Sequence, residues 1–228
     1  MTKLVDAVAD LNPQPRERQW TSLTFCILDA VWSIGAKYNA VVVPLVRRVG
    51  EDFRVTSPSV AMTEPKRPDP VPLSEFVARF DNLDFLVERT NRQRTSPTGG
   101  ILKADAVLQH AHAFLQHGID TLDQAVALFS DDARFGEVNA SLSGIRGDGQ
   151  DAVRRGYLWM LIGREDMIKP DRMVLRWFAR QGISVDSAGA RTLVALIASH
   201  LQTRSGRRLT PWEVDHAIWL AGRSLPLR

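Results

Sequence analysis

Between Lys103 and His117 the apolar residues Ala104, Val107, Leu108, Ala111, Phe114 and Leu115 recur three and four positions apart, which makes one helix face apolar. A strand cannot use that spacing, because its faces alternate every second residue. Gly118 closes the segment, glycine being at ease in the left-handed cap conformation. The same period organises Leu23, Cys26, Ile27, Ala30, Val31 and Ile34 into one face, ended by Gly35. A second helix is expected over Asn39–Val49, where Pro44 and shortness argue against reading Val41-Val42-Val43 as strand. Leu193, Val194, Ile197 and Leu201 mark a helix that stops near Gly206. The last helix has a full start signal, with Thr210 as cap, Pro211 at the first position and Glu213 three after the cap; it is expected to end at Gly222. No segment reads as a strand, so the expected class is all-α with about ten helices.

Between these helices the chain is less regular. Residues 1–19 hold a short amphipathic patch (Leu4, Val5, Val8, Leu11) that stops at Asn12-Pro13-Gln14-Pro15. Residues 50–72 carry Pro58, Pro65, Pro68, Pro70 and Pro72, so the backbone there is too restricted for regular structure and an insert or linker is expected. Ser74 is read as the cap of a short helix, followed by another around Leu83–Arg89. The polar, basic run from Arg89 to Gly100 reads as an exposed loop, a solvated turn before a phosphate contact. Asp120 is the expected cap of a helix with Leu122, Val126 and Phe129, and Asp131-Asp132 a solvated turn after it.

Composition narrows the functional classes. The net charge is only +3, yet 24 of the 29 basic residues are arginine, whose planar donor fork suits phosphate. A GC-rich genome also enriches arginine, so composition alone does not establish a nucleic-acid partner. The single cysteine, Cys26, excludes a disulfide framework and a four-cysteine metal or iron–sulfur site, and its apolar neighbours make it a buried structural thiol. His110, His112 and His117 suggest a metal, but residues two apart face different ways on a helix and no carboxylate sits four away from His110 or His117. No metal and no cofactor is expected. The six tryptophans fall mostly on apolar faces and are expected in the core. The N-terminus lacks a signal-peptide layout, and no apolar run approaches the roughly 20 residues of a membrane span. A cytoplasmic, monomeric protein without membrane contact is expected.

The stretch Leu142–Arg180 concentrates the chemistry. In Leu-Ser-Gly-Ile-Arg-Gly-Asp-Gly, Gly144, Gly147 and Gly149 permit a tight turn whose amides, with that of Ile145, can point outward. Gln150 is expected to start a helix, whose unpaired N-terminal N–H groups and dipole favour an anion. Its buried face is read as Ala152, Val153, Gly156, Tyr157, Met160 and Leu161, and Gly163 stops it. Lys169-Pro170 restarts the chain and places Asp171 in the first turn of the next helix, where a plain capping role and a catalytic one weigh equally.

This glycine turn, helix and Lys-Pro-Asp-Arg-Met-Val-Leu-Arg-Trp-Phe-Ala-Arg segment resembles the helix-hairpin-helix-Gly/Pro-Asp DNA glycosylase superfamily. That family carries a hairpin of the form L-P-G-V-G, then a helix, then V-D-x-H-V-x-R-V. Upstream, the Leu23–Val49 helix pair is similar to the family's first barrel helices, with the polar turn Ser33-Ile34-Gly35-Ala36-Lys37-Tyr38-Asn39 where the family meets DNA. The Ile-Leu-Lys-Ala segment at Lys103 is similar to the family's K-A-x-x-I. The resemblance implies two helical lobes, residues 1–20 with 171–228 and residues 21–170, the latter bearing the hairpin 142–150 and the Pro-rich insert 50–72. It implies double-stranded DNA as partner, base flipping into a pocket between the lobes, and a phosphate held by Gly144, Ile145, Gly147, Gly149 and Gln150. Asp171 would stabilise the sugar cation and orient the attacking water. Trp32, Ser33, Lys37, Tyr38, Asn39, Lys103 and Arg172 are the further expected pocket or DNA contacts.

Departures from the family pattern shape the expected chemistry. Relatives that also cleave the strand place a lysine in or just after the hairpin; Asp148 and Gly149 stand here, so base removal without lyase chemistry is expected. One cysteine rules out the relatives' iron–sulfur cluster. The second hairpin glycine is shifted, Met173 replaces the usual histidine and Arg172 follows the acid. The expected substrate is a modified or damaged base, either a bulky modified cytosine of phage DNA, in antiviral defence, or an alkylated or oxidised base, in repair. The rival expectations are a non-catalytic hairpin protein that only binds DNA and a helical interaction protein with chance likeness.

Overall fold

The structure, a computed structural model, describes residues 1–65, 67–149, 152–168 and 170–224. It is mostly helical, with twelve α-helices, one π-helical turn and one small sheet among the described residues. None of these helices is long and apolar enough to cross a membrane. The chain divides into two units, Glu17–Gly163 and Met1–Arg16 with Arg164–Arg228. The dividing points lie a few residues from 20/21 and 170/171 for local reasons. Residues 17–20 lead into a strand paired inside the larger unit, while the Glu165 carbonyl accepts from the Trp212 amide and Ile168 joins the smaller unit's core.

In chain order, α1 (Thr2–Ala9) belongs to the smaller unit, and the larger unit starts with β1 (Arg18–Trp20) and α2 (Leu23–Trp32). Every residue of α2 is buried, and it packs against the two longest-range partners of the unit, α6 (Lys103–Gln116) and α9 (Val153–Ile162). Ser22 caps α2, its hydroxyl accepting from the Thr24 amide and donating to the Val71 carbonyl. Cys26 lies wholly inside this helix's environment. The unit's largest buried side chains include Trp32, Trp159, Phe25, Phe76, Phe80 and Phe114, and Trp159 meets Phe114, Phe129 and Phe135 at ring-centroid distances of 5.8, 6.0 and 4.8 Å.

Several expectations change here. The helix expected at Asn39–Val49 is a π-helical turn, Tyr38–Val42, leading directly into α3 (Val43–Asp52), with Pro44 as the second residue of α3. The Pro-rich insert does hold regular structure: β2 (Ser59–Ala61) pairs antiparallel with β1, Arg18 opposite Ala61. Asp69 of the same insert accepts from the amides of Leu23 and Leu122 and so ties two helix starts together. The short helices are α4 (Leu73–Arg79), α5 (Leu83–Arg89) and α7 (Leu122–Ala127). Pro72, not Ser74, is the cap of α4; Ser74 donates from both its amide and its hydroxyl to Asp120. Thr121, not Asp120, caps α7, through a reciprocal box with Gln124. Asp131 is no solvated turn but the cap of α8 (Asp132–Ser143), which buries only Val138 and Leu142 and so shows little periodicity. In α9, which starts at Val153, the buried residues are Arg154, Leu158, Trp159, Met160 and Ile162, so of the expected face only Met160 is buried.

The smaller unit packs α1 with α10 (Arg172–Arg180), α11 (Ser187–Ser205) and α12 (Pro211–Ser224). Its core joins Leu4, Val5 and Val8 to Val174, Trp177, Phe178, Val194, Ile197, Leu201, Val214 and Ile218. Asp186 caps α11, and Thr210 and Glu213 cap α12 by reciprocal bonds of 3.3 Å. Gly222 does not end α12. It lets the helix lie directly on the Met173 carbonyl of α10, where any Cβ would overlap backbone. Alanine at an exposed helical site would gain about 1 kcal/mol in propensity, but overlap with a rigid carbonyl costs about 1–3 kcal/mol and wins. Gly222→Ala should therefore lower stability in a urea titration by about 1 kcal/mol or more; an unchanged or raised midpoint would show that α10 and α12 can separate freely.

Candidate nucleic-acid interface

The hairpin between α8 and α9 is built from its ends inward. The amides of Gly144 and Ile145 fold back onto the carbonyls of Ser141 and Leu142 at 3.3 and 3.2 Å, and the Ile145 side chain is buried. These two amides therefore finish α8 rather than point outward. Gly147 and Gly149 take φ of +93° and +84°. Gly147 also allows a close approach, since a Cβ there would overlap both the Arg154 guanidinium and the Thr95 side chain. Among the described residues, the amides of Arg146, Gly147 and Gly149 meet no acceptor. Gln150 lies outside the described residues.

The start of α9 differs from expectation in a way that matters for anions. Asp148 already occupies it: its carbonyl accepts from the Arg154 amide at 2.9 Å and its Oδ1 from the Arg155 amide at 3.1 Å. Its Oδ2 pairs with the Arg155 guanidinium at 3.3 Å. The chain thus supplies its own negative charge to the helix end that the sequence left open. Burial pushes the Asp148 carboxyl upward, opposed by Arg155, its amide and Arg154. Arg154 is itself buried beneath the turn, both terminal nitrogens donating to the Arg146 carbonyl at 3.4 and 3.3 Å. Desolvation lowers its pKa to about 10, with Asp148 opposing. Its Nε and the neighbouring Thr95 hydroxyl have no hydrogen-bond partner among the described residues.

Two further segments lie at the same end of the unit. Lys103, expected at a DNA contact, is buried instead, and its ammonium donates to the carbonyls of Trp32 and Ile34 at 3.1 and 2.8 Å and to Gln93 Oε1 at 3.3 Å. It satisfies the end of α2, so it is not on the surface. Trp32 is likewise enclosed, its indole donating to Asn91 Oδ1 at 3.1 Å. Ser33 and Tyr38 donate to the buried carboxylate of Asp29, at 2.5 and 2.9 Å, as do the Trp20 indole at 2.8 Å and the Tyr157 hydroxyl at 3.2 Å. Of the turn residues expected to meet DNA, Lys37 and Asn39 are the exposed ones. Asp29, Arg154 and Thr95 were not singled out from the sequence. Asp29 carried a signal, an acid within an otherwise apolar helix; Arg154 and Thr95 carried none.

In the smaller unit Asp171 is the N-cap of α10, its Oδ1 accepting from the amides of Met173 and Val174 at 2.7 and 3.4 Å. Its Oδ2 accepts from the Trp219 indole at 3.2 Å. Arg172 is exposed next to it. Trp219 belongs to a stack along α12 in which His216 lies parallel to Trp212 and Trp219, with Arg16 over Trp212 and Arg223 over Trp219. Among the described residues no cluster of three or more His, Cys, Asp or Glu could hold a metal. His112 is exposed and His117 caps the end of α6.

Sequence comparison covers both units at once, because one family model matches residues 1–223 under the description Domain of unknown function (DUF8548). The chain belongs to that family. No curated protein and no solved structure matches it. The span shared with the family includes the hairpin, the Asp29 and Lys103 clusters and Asp171.

His110, close behind Arg154, gives this region a pH dependence. It is buried, its Nδ1 lies 2.6 Å from the Ala106 carbonyl, and desolvation lowers its pKa from 6.5 to about 4, with the Ala106 bond opposing and the Arg154 charge assisting. The unfolded chain takes up a proton below its ordinary pKa while the folded chain does not until about pH 4. Stability present near neutrality is therefore lost as pH falls through that window, by roughly 3 kcal/mol in all. In urea titrations across the window, His110→Gln should lose less stability than the wild type by that order; parallel pH profiles would show that His110 is not held neutral.

Proposed function

We propose that this protein is a monofunctional DNA N-glycosylase, a hydrolase that removes a modified or damaged base from double-stranded DNA and leaves an abasic site. The reading includes a glycosylase-like helix-hairpin-helix fold acting as a monomer, without metal or cofactor. The observation that carries it is the fixing of Asp171. A carboxylate has about four lone-pair sites; the amides of Met173 and Val174 and the Trp219 indole take three of them in one defined orientation. Among the described residues, one position on Oδ2 is left for a water or a developing positive charge. Such a preorganised acid needs no rearrangement when charge develops, which is where electrostatic catalysis is most effective.

In the proposed reaction the bond between the base and C1′ of the sugar breaks, the base leaving with the electron pair. Positive charge grows on the sugar opposite the Asp171 carboxylate. Water, oriented by the same carboxylate, forms the new C–O bond and gives up its proton, and the leaving base is protonated. The hairpin contributes by holding the phosphate backbone through the amides of Arg146, Gly147 and Gly149, which meet no acceptor among the described residues, and the exposed Arg146 side chain. No lysine stands between Gly144 and Gly149 to form a Schiff base, so cleavage of the strand is not part of the proposal.

One observation favours a second reading, a DNA-binding hairpin protein without catalysis: capping α10 is already a sufficient structural use for Asp171. The two separate cleanly, because asparagine caps a helix as well as aspartate does but carries no charge. Duplexes carrying alkylated, oxidised or bulky phage-type cytosine bases are incubated with protein and then treated with alkali. Asp171→Asn keeps the cap through its oxygen but turns an amide nitrogen to the Trp219 indole, so it should cost about 1–3 kcal/mol of stability and keep DNA affinity, while strand breaks fall by a hundredfold or more, in line with loss of one preorganised group. Breaks at the wild-type rate in the variant would remove Asp171 from the chemistry, and DNA binding without breaks on any duplex would leave the second reading. Borohydride should trap no covalent adduct.

A further inference from the structure

The loop from Asn91 to Leu102, which by composition is a solvated turn, is held far more firmly than such a turn needs. From below, the buried Lys103 ammonium donates to Gln93 Oε1, and the Lys103 amide donates to the Gln93 carbonyl at 2.8 Å. Asn91 Oδ1 accepts from both the Trp32 indole and the Gln93 amide. Across the loop, Arg94 bridges to Leu102, and the Thr95 amide donates to the Ile101 carbonyl at 2.9 Å. At its tip a Cβ on Gly100 would overlap the Ser96 backbone. Burying an ammonium is costly unless its hydrogen bonds are made, and here those bonds go to two loops, through Ile34 and Gln93.

The loop is also joined to the hairpin, because the Thr95 side chain rests where a Gly147 side chain would be. Its charge is of one sign. No acid occurs from Asn91 to Lys103, nor from Trp32 to Gly50, the segment that carries Lys37. The hairpin's acid, Asp148, is paired with Arg155, while Arg146 is exposed. Arg92 and Arg94 are exposed on the loop; Arg94 donates to the Gly100 carbonyl, and Arg92 has no partner among the described residues. A well-tied edge bearing exposed guanidinium groups, Arg94 with donors to spare beyond its one bond, beside amides that meet no acceptor among the described residues matches a phosphate backbone, whose oxygens accept from such forks.

We infer that the Asn91–Leu102 loop is a second DNA-backbone contact, placing Arg92 and Arg94 on phosphates next to the one held by the hairpin. The inference rests on the DNA-binding part of the proposed function, but not on its catalytic part. Binding of the full chain to a short fluorescent duplex is measured by anisotropy over a salt series for the wild type, Arg92→Ala, Arg92→Lys, Arg146→Ala and the double alanine variant. Loss of one phosphate contact lowers the slope of log affinity against log salt by about 1. Arg92→Ala should show that drop and bind several-fold more weakly at low salt, Arg92→Lys should keep the wild-type slope, and the double variant should lose about 2. The thermal midpoint should stay constant, since Arg92 has no partner among the described residues. A wild-type slope in Arg92→Ala alongside a reduced one in Arg146→Ala overturns the inference and leaves the hairpin reading intact. A reduced slope only in Arg92→Ala supports the loop and removes the hairpin. A wild type without salt-dependent DNA affinity overturns both.

Discussion

The carboxylate of Asp29 lies wholly out of water, and four donors from four separate segments converge on it: Trp20 of the small sheet, Ser33 at the end of α2, Tyr38 of the π-helical turn and Tyr157 of α9. A buried donor left without its acceptor costs about 1–3 kcal/mol, so these four segments share one requirement. Their relative placement is set by a single atom pair, the two oxygens of Asp29. Lys103 repeats the arrangement with opposite sign, one buried ammonium holding the end of α2 and the loop before α6. Between them these two charges determine the end of the larger unit where the hairpin and the basic loops are found. Polar groups so deeply buried contribute less to net stability than to uniqueness, because any other packing would strand them.

A second theme is that acids are used to finish helices before they can do anything else. Asp148 occupies the start of α9, Asp171 that of α10 and Asp186 that of α11. On the proposed reading, a phosphate would therefore meet the loop amides and the exposed arginines rather than the start of α9, which Asp148 fills. For Asp171 it means that the same three donors serve both a cap and a preorganised carboxylate. Geometry alone permits both uses, and the charge-removing, cap-retaining substitution distinguishes them.

The helices α6, α11 and α12 are legible in the sequence because each buries one face and the period survives, whereas α2 is legible as an apolar run although it is buried all round. The ones that escaped recognition had weak patterns. α8 buries two side chains, so its cap Asp131 looked like a turn. β2 is three residues long inside a proline-rich stretch, and its pairing with β1 joins positions about forty residues apart, which no local pattern reports. The expected caps fall on the right helices but the wrong residues: Ser74 and Asp120 bond to each other, leaving Pro72 and Thr121 at the two helix starts.

For the candidate site the division is similar. Sequence by itself determined the helical class, the glycines that shape the hairpin and the acid at the head of α10, since these depend on local backbone chemistry. Only tertiary structure decided that Lys103 and Trp32 are buried supports, that Asp148 fills the helix start, and that Asp29 gathers Tyr38 and Tyr157. The physical reason is that burial is a property of neighbours distant in sequence. A lysine or aspartate looks the same in the chain whether water or an enclosed set of partners will surround it, and only packing settles which.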